Sequence, residues 1–171
     1  ANNIGKLHVW KARRLAAFGA DPVSEYQAAR GACERALSLQ SNLSGVEANL
    51  AGIRMETGDW KSSRGADPVV DYTEGLSICD AAIERGPVPL EVRFQQALLR
   101  LRMAERGSET GAGTSRYRDA LSSFDAVLGM EPGHGDALVG RARALEGLGR
   151  DTEALATYES ALRAGARREE L

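Results

Sequence analysis

The residue types that usually carry catalysis or bind metals are few in this chain of 171 residues, and they lie far apart. The two histidines, His8 and His134, are 126 positions apart, and neither is near a pair of cysteines. Because a metal site brings several such ligands together, this spacing predicts no metal site. No nucleophile is placed with a base and an orienting acid. We therefore expect no catalytic residues, no cofactor and no enzyme activity.

The elements of the chain are revealed by side chains that recur at fixed offsets. The recurring sets are Tyr26, Cys33 and Ala36; Tyr72, Cys79 and Ala82; Tyr117, Phe124 and Val127. The sets are 46 and 45 residues apart, and a final step of 34 puts Tyr158 and Ala161 in the places of Phe124 and Val127. Repeats of this length without strand signals are typical of stacked helical hairpins. We predict an all-α fold, an α-solenoid of four antiparallel helical hairpins.

One array over residues 1–171 is expected, with units of approximately 1–43, 44–89, 90–134 and 135–168. In the last unit, apolar residues from Asp136 to Leu148 fall at helical spacing, and Gly149 with Arg150 separates them from a second such stretch. The chain begins with Ala1 rather than Met and ends on residues 167–171, which read as the first turn of another helix. We expect a fragment of a longer protein.

Charge and hydropathy narrow the possible partners and location. The net charge is −2 with basic and acidic residues interspersed, whereas nucleic-acid binding usually leaves a basic face. No apolar run is long enough for a membrane helix, so no membrane insertion is expected. Cys33 and Cys79 occupy equivalent positions of adjacent hairpins, roughly 8–10 Å apart, which is too far for a disulfide. They are expected to be reduced core residues, which favours the cytoplasm.

The chain resembles the tetratricopeptide repeat family over nearly its whole length. That family prefers a small residue at the eighth position of its unit, which here corresponds to Gly5, Ala51, Ala97 and Ala142. The small residue at its twentieth position corresponds to Ala29, Gly75, Ala120 and Ala154. Helices packed about 8–10 Å apart leave no room for larger side chains where they cross. Bulk at Ala97 or Ala142 is therefore expected to disrupt the stack.

The first three units carry 11 to 12 extra residues between the two helices of each hairpin. Gly19-Ala20-Asp21-Pro22 and Gly65-Ala66-Asp67-Pro68 each read as a helix stop followed by an Asp cap and a helix-starting Pro. We expect longer helices, with the first ending near Phe18 or Arg64 and the second beginning at Pro22 or Pro68. The third insertion, Gly107 to Ser115, is rich in Gly, Ser and Thr and is predicted to be a mobile loop.

Elongated hairpins with the sequence Ser63-Arg64-Gly65-Ala66-Asp67-Pro68 at the tip resemble the repeat arrays attached to some bacterial serine/threonine protein kinases. The chain contains none of the kinase catalytic motifs. The two glycines of Gly111-Ala112-Gly113-Thr114 lie between predicted helices, so a flexible turn is favoured over a phosphate-binding loop.

The resemblance implies that ligands bind to the first helix of each hairpin, along a concave face. The candidate binding residues at the family's contact positions are Lys6, Asn49, Met55, Phe94, Gln95, Arg102 and Arg143. Met55, Phe94 and Leu101 would supply an apolar floor, although Phe94 and Leu101 could instead pack against the neighbouring hairpin. Glu91 and Gln95 stand where the family's carboxylate clamp has Lys and Arg, so an internal peptide or a helix is the expected ligand.

Together these features predict a non-catalytic protein–protein interaction module that binds a peptide or protein. It would be the regulatory or scaffolding part of a bacterial signalling protein such as a serine/threonine kinase. The alternative is a structural spacer or self-association element, in which stacking continues through the ends near Ala1 and Leu171.

Overall fold

Eight α-helices and no strands make up the described part of the chain, which comprises residues 2–39, 44–87, 89–107 and 113–166 of a computed structural model. The helices are α1 Asn2–Ala17, α2 Val23–Leu39, α3 Ser44–Ser63, α4 Val69–Glu84, α5 Leu90–Gly107, α6 Gly113–Met130, α7 Gly135–Gly147 and α8 Asp151–Arg163. The predicted all-α fold of helical hairpins is confirmed. Residues 167–171, where another helix was expected to begin, lie outside the described residues.

The chain divides into two compact units, Ala1–Val92 and Arg93–Leu171. In the first unit α1 pairs with α2, α3 pairs with α4, and α2 packs against α3. In the second unit α7 pairs with α8, and α6 packs against α7. A hydrogen bond of 2.7 Å from Arg100 Nη1 to Ser123 Oγ joins α5 to α6. Within each unit, the second helix of one hairpin thus lies against the first helix of the next.

The first three hairpins are longer than the fourth, as the insertions predict. Helices α1 to α6 have 16 to 20 residues, whereas α7 and α8 have 13 each. At a rise of about 1.5 Å per residue, this lengthens each helix by roughly 5 to 10 Å. The first two hairpins, α1–α2 and α3–α4, are therefore longer from base to tip than the last hairpin, α7–α8.

The first two tips have the local structure that their sequences predict. Gly19 and Gly65 have φ of 73° and 77°, a left-handed conformation that glycine adopts without a steric penalty. Asp21 and Asp67 then accept hydrogen bonds from the backbone N–H groups of Val23 and Val69, at 2.9 and 3.0 Å. All four helix ends at these tips lie within one residue of the predicted positions.

The third tip differs from the expectation in part. Residues 108–112 lie outside the described residues, but Thr114 and Ser115, predicted as loop, belong to the first turn of α6. A first turn tolerates Gly, Thr and Ser because its N–H groups have no partners within the helix. Tyr117, which follows in the same helix, is 9% exposed and holds this end in the core.

Small residues occupy the crossing points of the helices. Ala51, Ala97 and Ala142 are fully buried, and a Cβ on Gly5 would lie 3.4 Å from Cys33 Sγ. The two predicted core thiols, Cys33 and Cys79, are both buried, and burial raises the pKa of Cys33. The repeat frame therefore identifies the core correctly.

Two further glycines make room for aromatic rings between α6 and α7. A Cβ on Gly140 would overlap the ring of Phe124, and one on Gly147 would overlap the ring of Tyr117. Phe124 is fully buried. Close approach of α7 to the rings of α6 thus requires glycine at both positions.

In the described part of the first unit two carboxylates are buried, and each has a cationic partner. Glu47 of α3 is 6% exposed and accepts a hydrogen bond from Arg85. Asp71 of α4 is 3% exposed and lies 2.6 Å from Lys61 Nζ. Paired charges of this kind are tolerated in an interior where an unpaired charge would be costly.

Candidate protein-binding surface

The predicted binding residues lie on the first helices of the hairpins. We use the term first-helix surface for these helices in each unit separately: α1 and α3 in the first unit, α5 and α7 in the second. Lys6 is exposed on α1, while Asn49 and Met55 are half-buried on α3. A half-buried side chain is held by its neighbours and still offers surface to a ligand. These three residues keep their predicted role as candidates.

Glu56 on α3, which follows the candidate residue Met55, is already engaged within the first unit. Its carboxylate receives Arg13 Nη2 at 2.6 Å, Arg13 Nε at 3.1 Å and the Tyr26 hydroxyl at 3.2 Å. The hydrogen bond from Arg13 raises the pKa of that guanidinium, and burial raises the pKa of Tyr26. The cluster joins α1, α2 and α3, so a ligand would meet Glu56 as an acceptor that is already saturated.

In the second unit, Arg102 and Arg143 are brought together by Glu105. Arg143 Nη2 lies 2.5 Å from Glu105 Oε1, and Arg102 Nη1 lies 3.4 Å from Glu105 Oε2. The side chains of Arg102 and Arg143 are 24% and 40% exposed. The structure thus gathers two predicted residues from α5 and α7 into one charged cluster, which we call the Arg102–Glu105–Arg143 cluster.

Sequence reasoning did not identify Glu105, because it does not stand at one of the family's contact positions. The available signal is its spacing of three residues from Arg102, which places the two side chains on the same side of a helix. The link from Glu105 to Arg143 crosses to another helix and has no signature in the sequence.

Phe94 packs against His134, with 4.6 Å between the ring centroids. His134 also accepts a hydrogen bond from the Ala137 N–H through Nδ1, at 3.2 Å, and so caps α7. Phe94 remains half-buried, so packing and ligand contact are both compatible with its position. Leu101 is fully buried. The prediction that Leu101 lines the floor of a groove is therefore wrong, because its side chain belongs to the core.

Gln95 is half-buried beside Phe94 on α5. Its side-chain oxygen is shielded from water and has no hydrogen-bond donor among the described residues. Because the oxygen is shielded, the part of Gln95 that a ligand could touch is the rest of its half-buried side chain.

Among the described residues, the side chains that could bind a metal do not converge. Across the described ranges, no group of three or more His, Cys, Asp or Glu side chains is arranged to hold a metal ion. His8 lies 2.5 Å from Glu25 Oε2, and the hydrogen bond lowers the pKa of that carboxyl. Both histidines therefore have local structural partners.

No helix among the described residues is both long enough and apolar enough to cross a membrane.

Comparison with known protein families finds a match to the tetratricopeptide repeat over part of the chain. The model of that family matches residues 112–169, which include α6, α7 and α8. A search of curated proteins gives no match. Tetratricopeptide repeats generally mediate protein–protein interaction and are not enzymes as a class.

Solved structures share the fold at low sequence identity. TTC0263, a thermophilic TPR protein of Thermus thermophilus, is 18% identical with a TM-score of 0.72, covering 97% of this chain and 77% of its own. The MamA structure designated MSR-1 is 19% identical with a TM-score of 0.55, covering 82% and 67% of the two chains. These likenesses place the chain in the α-solenoid fold class.

Proposed function

We propose that this chain is a non-catalytic interaction module that binds a peptide or protein through the first-helix surface. The observation that carries the proposal is the Arg102–Glu105–Arg143 cluster. Two guanidinium groups, 24% and 40% exposed, converge on one carboxylate, so the cluster presents cationic surface to an incoming acceptor. Guanidinium groups on this surface suit the backbone carbonyl groups of an internal peptide segment or the polar side of a helix.

We further propose that the module regulates or scaffolds a bacterial signalling protein such as a serine/threonine kinase. The sequence around Arg64 and Asp67 supports this, since it resembles the hairpin tips of kinase-attached arrays. The tip is well defined: Arg64 Nη2 donates to the Gly19 carbonyl at 2.9 Å, and its guanidinium lies 4.4 Å from the centroid of the Trp60 ring. Two buried thiols, Cys33 and Cys79, support a cytoplasmic location.

The proposal is tested by a partner captured on the immobilised chain and then measured quantitatively. Arg102→Glu reverses a charge at the cluster and places it beside Glu105. We expect the dissociation constant of the captured partner to rise about tenfold or more, the usual result of breaking a charged interface contact. Asn49→Glu tests the first unit in the same way.

The matched control is Arg118→Glu, which makes the same charge reversal at an exposed residue of α6, a second helix. Circular dichroism establishes that all variants are folded. If Arg102→Glu and Asn49→Glu bind the partner as tightly as the control does, the first-helix surface is not the binding surface.

The second candidate function, self-association or a structural spacer, is favoured by one observation on α1. Ile4 and Leu7 are 54% and 52% exposed, whereas their equivalents 46 residues later, Leu50 and Ile53, are 7% and 2% exposed. In α3 this face packs against α2 of the preceding hairpin. If a second copy covers it on α1, sedimentation should show a mass that grows with concentration and falls for Ile4→Glu. A constant monomer mass would exclude this role.

A further inference from the structure

Two helix faces in the described structure, one on α1 and one on α8, are apolar and exposed. On α1, four large apolar side chains are each more than half exposed: Ile4, Leu7, Trp10 and Phe18. On α8, Leu155 and Leu162 are 63% and 49% exposed. Their spacing keeps each set on one side of its helix, and we call the two sets the α1 face and the α8 face. Grouped apolar side chains in solvent are typical of a surface that binds a partner.

In the repeat frame, each face is one half of the contact between successive hairpins. Leu7 is equivalent to Ile53 of α3, 46 residues later, which is buried in a cluster with residues of α2. Leu155 is equivalent to Leu121, 34 residues earlier, which is half-buried on α6, the helix that packs against α7. The α1 face is therefore shaped to receive a second helix of a hairpin, and the α8 face to receive a first helix.

The contact between successive hairpins has the same register in both units. In the first unit, the Tyr26 hydroxyl of α2 lies 3.2 Å from the Glu56 carboxylate of α3. In the second unit, the Tyr117 ring of α6 lies against Gly147 of α7. Tyr26 and Tyr117 are equivalent in the repeat frame, and so are Glu56 and Gly147. The same two positions thus meet in each case.

The same register, applied to the two exposed faces, brings Asp151 of α8 against Trp10 and Lys11 of α1. Asp151 stands 34 residues after Tyr117, and Trp10 stands 46 residues before Glu56. Lys11 follows Trp10 and is exposed, as is Asp151. The register therefore places a carboxylate beside an ammonium group.

One turn further along α8, the register brings Leu155 against Leu7. Their equivalents in the first unit, Arg30 and Ile53, line one groove between α2 and α3. Two exposed leucines would cover each other in this contact, and removal of apolar surface from water favours association.

The two helices are also opposite in charge. Helix α1 carries four basic residues and no acidic one: Lys6, Lys11, Arg13 and Arg14. Helix α8 carries three acidic residues and one basic residue: Asp151, Glu153, Glu159 and Arg163. Opposite potentials favour the pairing of an α1 face with an α8 face, and repulsion between like charges disfavours two α1 faces together. Charge therefore selects the same partner as the register does.

We propose that the α1 face binds the α8 face of a second copy of this chain, with Leu155 packed against Leu7 and Asp151 paired with Lys11. The contact joins unlike surfaces, so each copy keeps one further face for another copy and assembly continues beyond the dimer. The inference rests on the second candidate function, self-association, for which it names the two surfaces and their register. It is independent of peptide binding by the first-helix surface.

The test is sedimentation of the whole chain at increasing concentration, with Lys11→Glu and Asp151→Lys as variants. Each variant places like charges opposite each other, so we expect the dissociation constant for self-association to rise about tenfold or more in each. An equimolar mixture of the two variants should associate again. In the mixture, the altered α1 face of one chain meets the altered α8 face of the other, and the two unaltered faces pair as in the wild type.

The matched control is Arg118→Glu, a charge reversal at an exposed residue of α6, which should associate as the wild type does. Circular dichroism establishes that the variants are folded. A constant monomer mass of the wild-type chain would overturn the proposal together with self-association. Association of either variant as tight as that of the control would place self-association on other surfaces. A mixture that stays as weak as its components would show that Lys11 and Asp151 do not face each other, which also overturns the proposal.

Discussion

The contact between Gly140 and Phe124 shows how a single hydrogen atom in place of a methyl group permits the packing of two helices. Phe124 is fully buried, and its ring occupies the space that a side chain at residue 140 would need. Gly147 has the same relation to Tyr117 about two turns further along α7. The two contacts fix how close α7 comes to α6.

We expect Gly140→Ala to lower the free energy of unfolding by about 1–3 kcal/mol, because the added methyl group must displace a buried ring or the helix itself. Urea denaturation measures the change. The control is Gly129→Ala in α6, where a Cβ would meet no atom within 4 Å. That change should raise the stability by about 0.5 kcal/mol through the higher helix propensity of alanine. Equal effects of the two changes would show that the ring does not restrict residue 140.

The raised pKa of Tyr158 predicts that the free energy of unfolding decreases at high pH. Burial, assisted by a hydrogen bond of 2.9 Å to Glu146 Oε2, raises the pKa of Tyr158 to about 12, above the ordinary value of about 10. The folded state then holds the phenolic proton more tightly than the unfolded state. This contribution is complete below about pH 10 and is lost as the pH rises towards 12.

The check compares the wild-type chain with Tyr158→Phe in urea denaturation at several pH values. The stability difference between them should be constant at neutral pH and should shrink between about pH 10 and 12. Absorbance titration of tyrosinate gives the pKa directly. A Tyr158 that ionises near pH 10 would contradict the structural account.

At the scale of single residues, burial is predicted well from the sequence, whereas the pairing of side chains is predicted poorly. Ala51, Cys79 and Phe124 are identified by recurrence, since a core position must stay apolar in every copy of the repeat. The convergence of Arg102 and Arg143 on Glu105 depends on long side chains that reach between helices, and no repeat spacing encodes it. The role of Gly140 is hidden for a similar reason, because the ring it accommodates belongs to the preceding helix.

The helices and their ends form the next scale, where local sequence signals are most informative. The first two tips are predicted to within one residue because each signal acts over a few residues: a glycine with positive φ, then an aspartate cap, then a proline. The start of α6 is predicted less well, since Thr114 and Ser115 occur equally well in a loop and in a first helical turn. A buried tyrosine farther along the helix decides between the two.

At the second tip, Asp67→Ala should destabilise the chain by about 1 kcal/mol, the usual effect of removing a helix cap. The lost interaction is the 3.0 Å hydrogen bond that Asp67 Oδ1 accepts from the Val69 N–H. Thermal or urea denaturation measures the change. Asp67→Asn is the control, because asparagine caps helices about as well as aspartate. If the asparagine variant loses as much stability as the alanine variant, charge rather than capping is the cause.

On the scale of the whole molecule, a repeat architecture makes stability depend on neighbouring hairpins. Leu50 and Ile53 on α3 are buried, while the equivalent Ile4 and Leu7 on α1 are more than half exposed. In repeat proteins each element is stabilised by the interfaces on both its sides. Helix α1 therefore has fewer stabilising contacts than α3 in the same unit.

Hydrogen exchange followed by mass spectrometry should show this difference. We expect the amides of α1 to exchange faster than those of α3, since local opening is easier where fewer apolar contacts are lost. The comparison is made at low protein concentration, and protection of α1 that increases with concentration would favour self-association. Equal protection of α1 and α3 at all concentrations would contradict the expectation.

The pairing of Phe124 with Gly140 also bears on how such arrays can be recombined or diversified. The ring and the space it fills belong to successive hairpins, so the complementary pair is split by any exchange made at hairpin boundaries. A transplanted α7–α8 hairpin would carry the recess without the ring, whereas α6 and α7 moved together would keep both. The two helices whose surfaces fit each other are α6 and α7, whereas the sequence repeats as hairpins such as α7 with α8. The fitted pair is therefore displaced by one helix from the repeated pair.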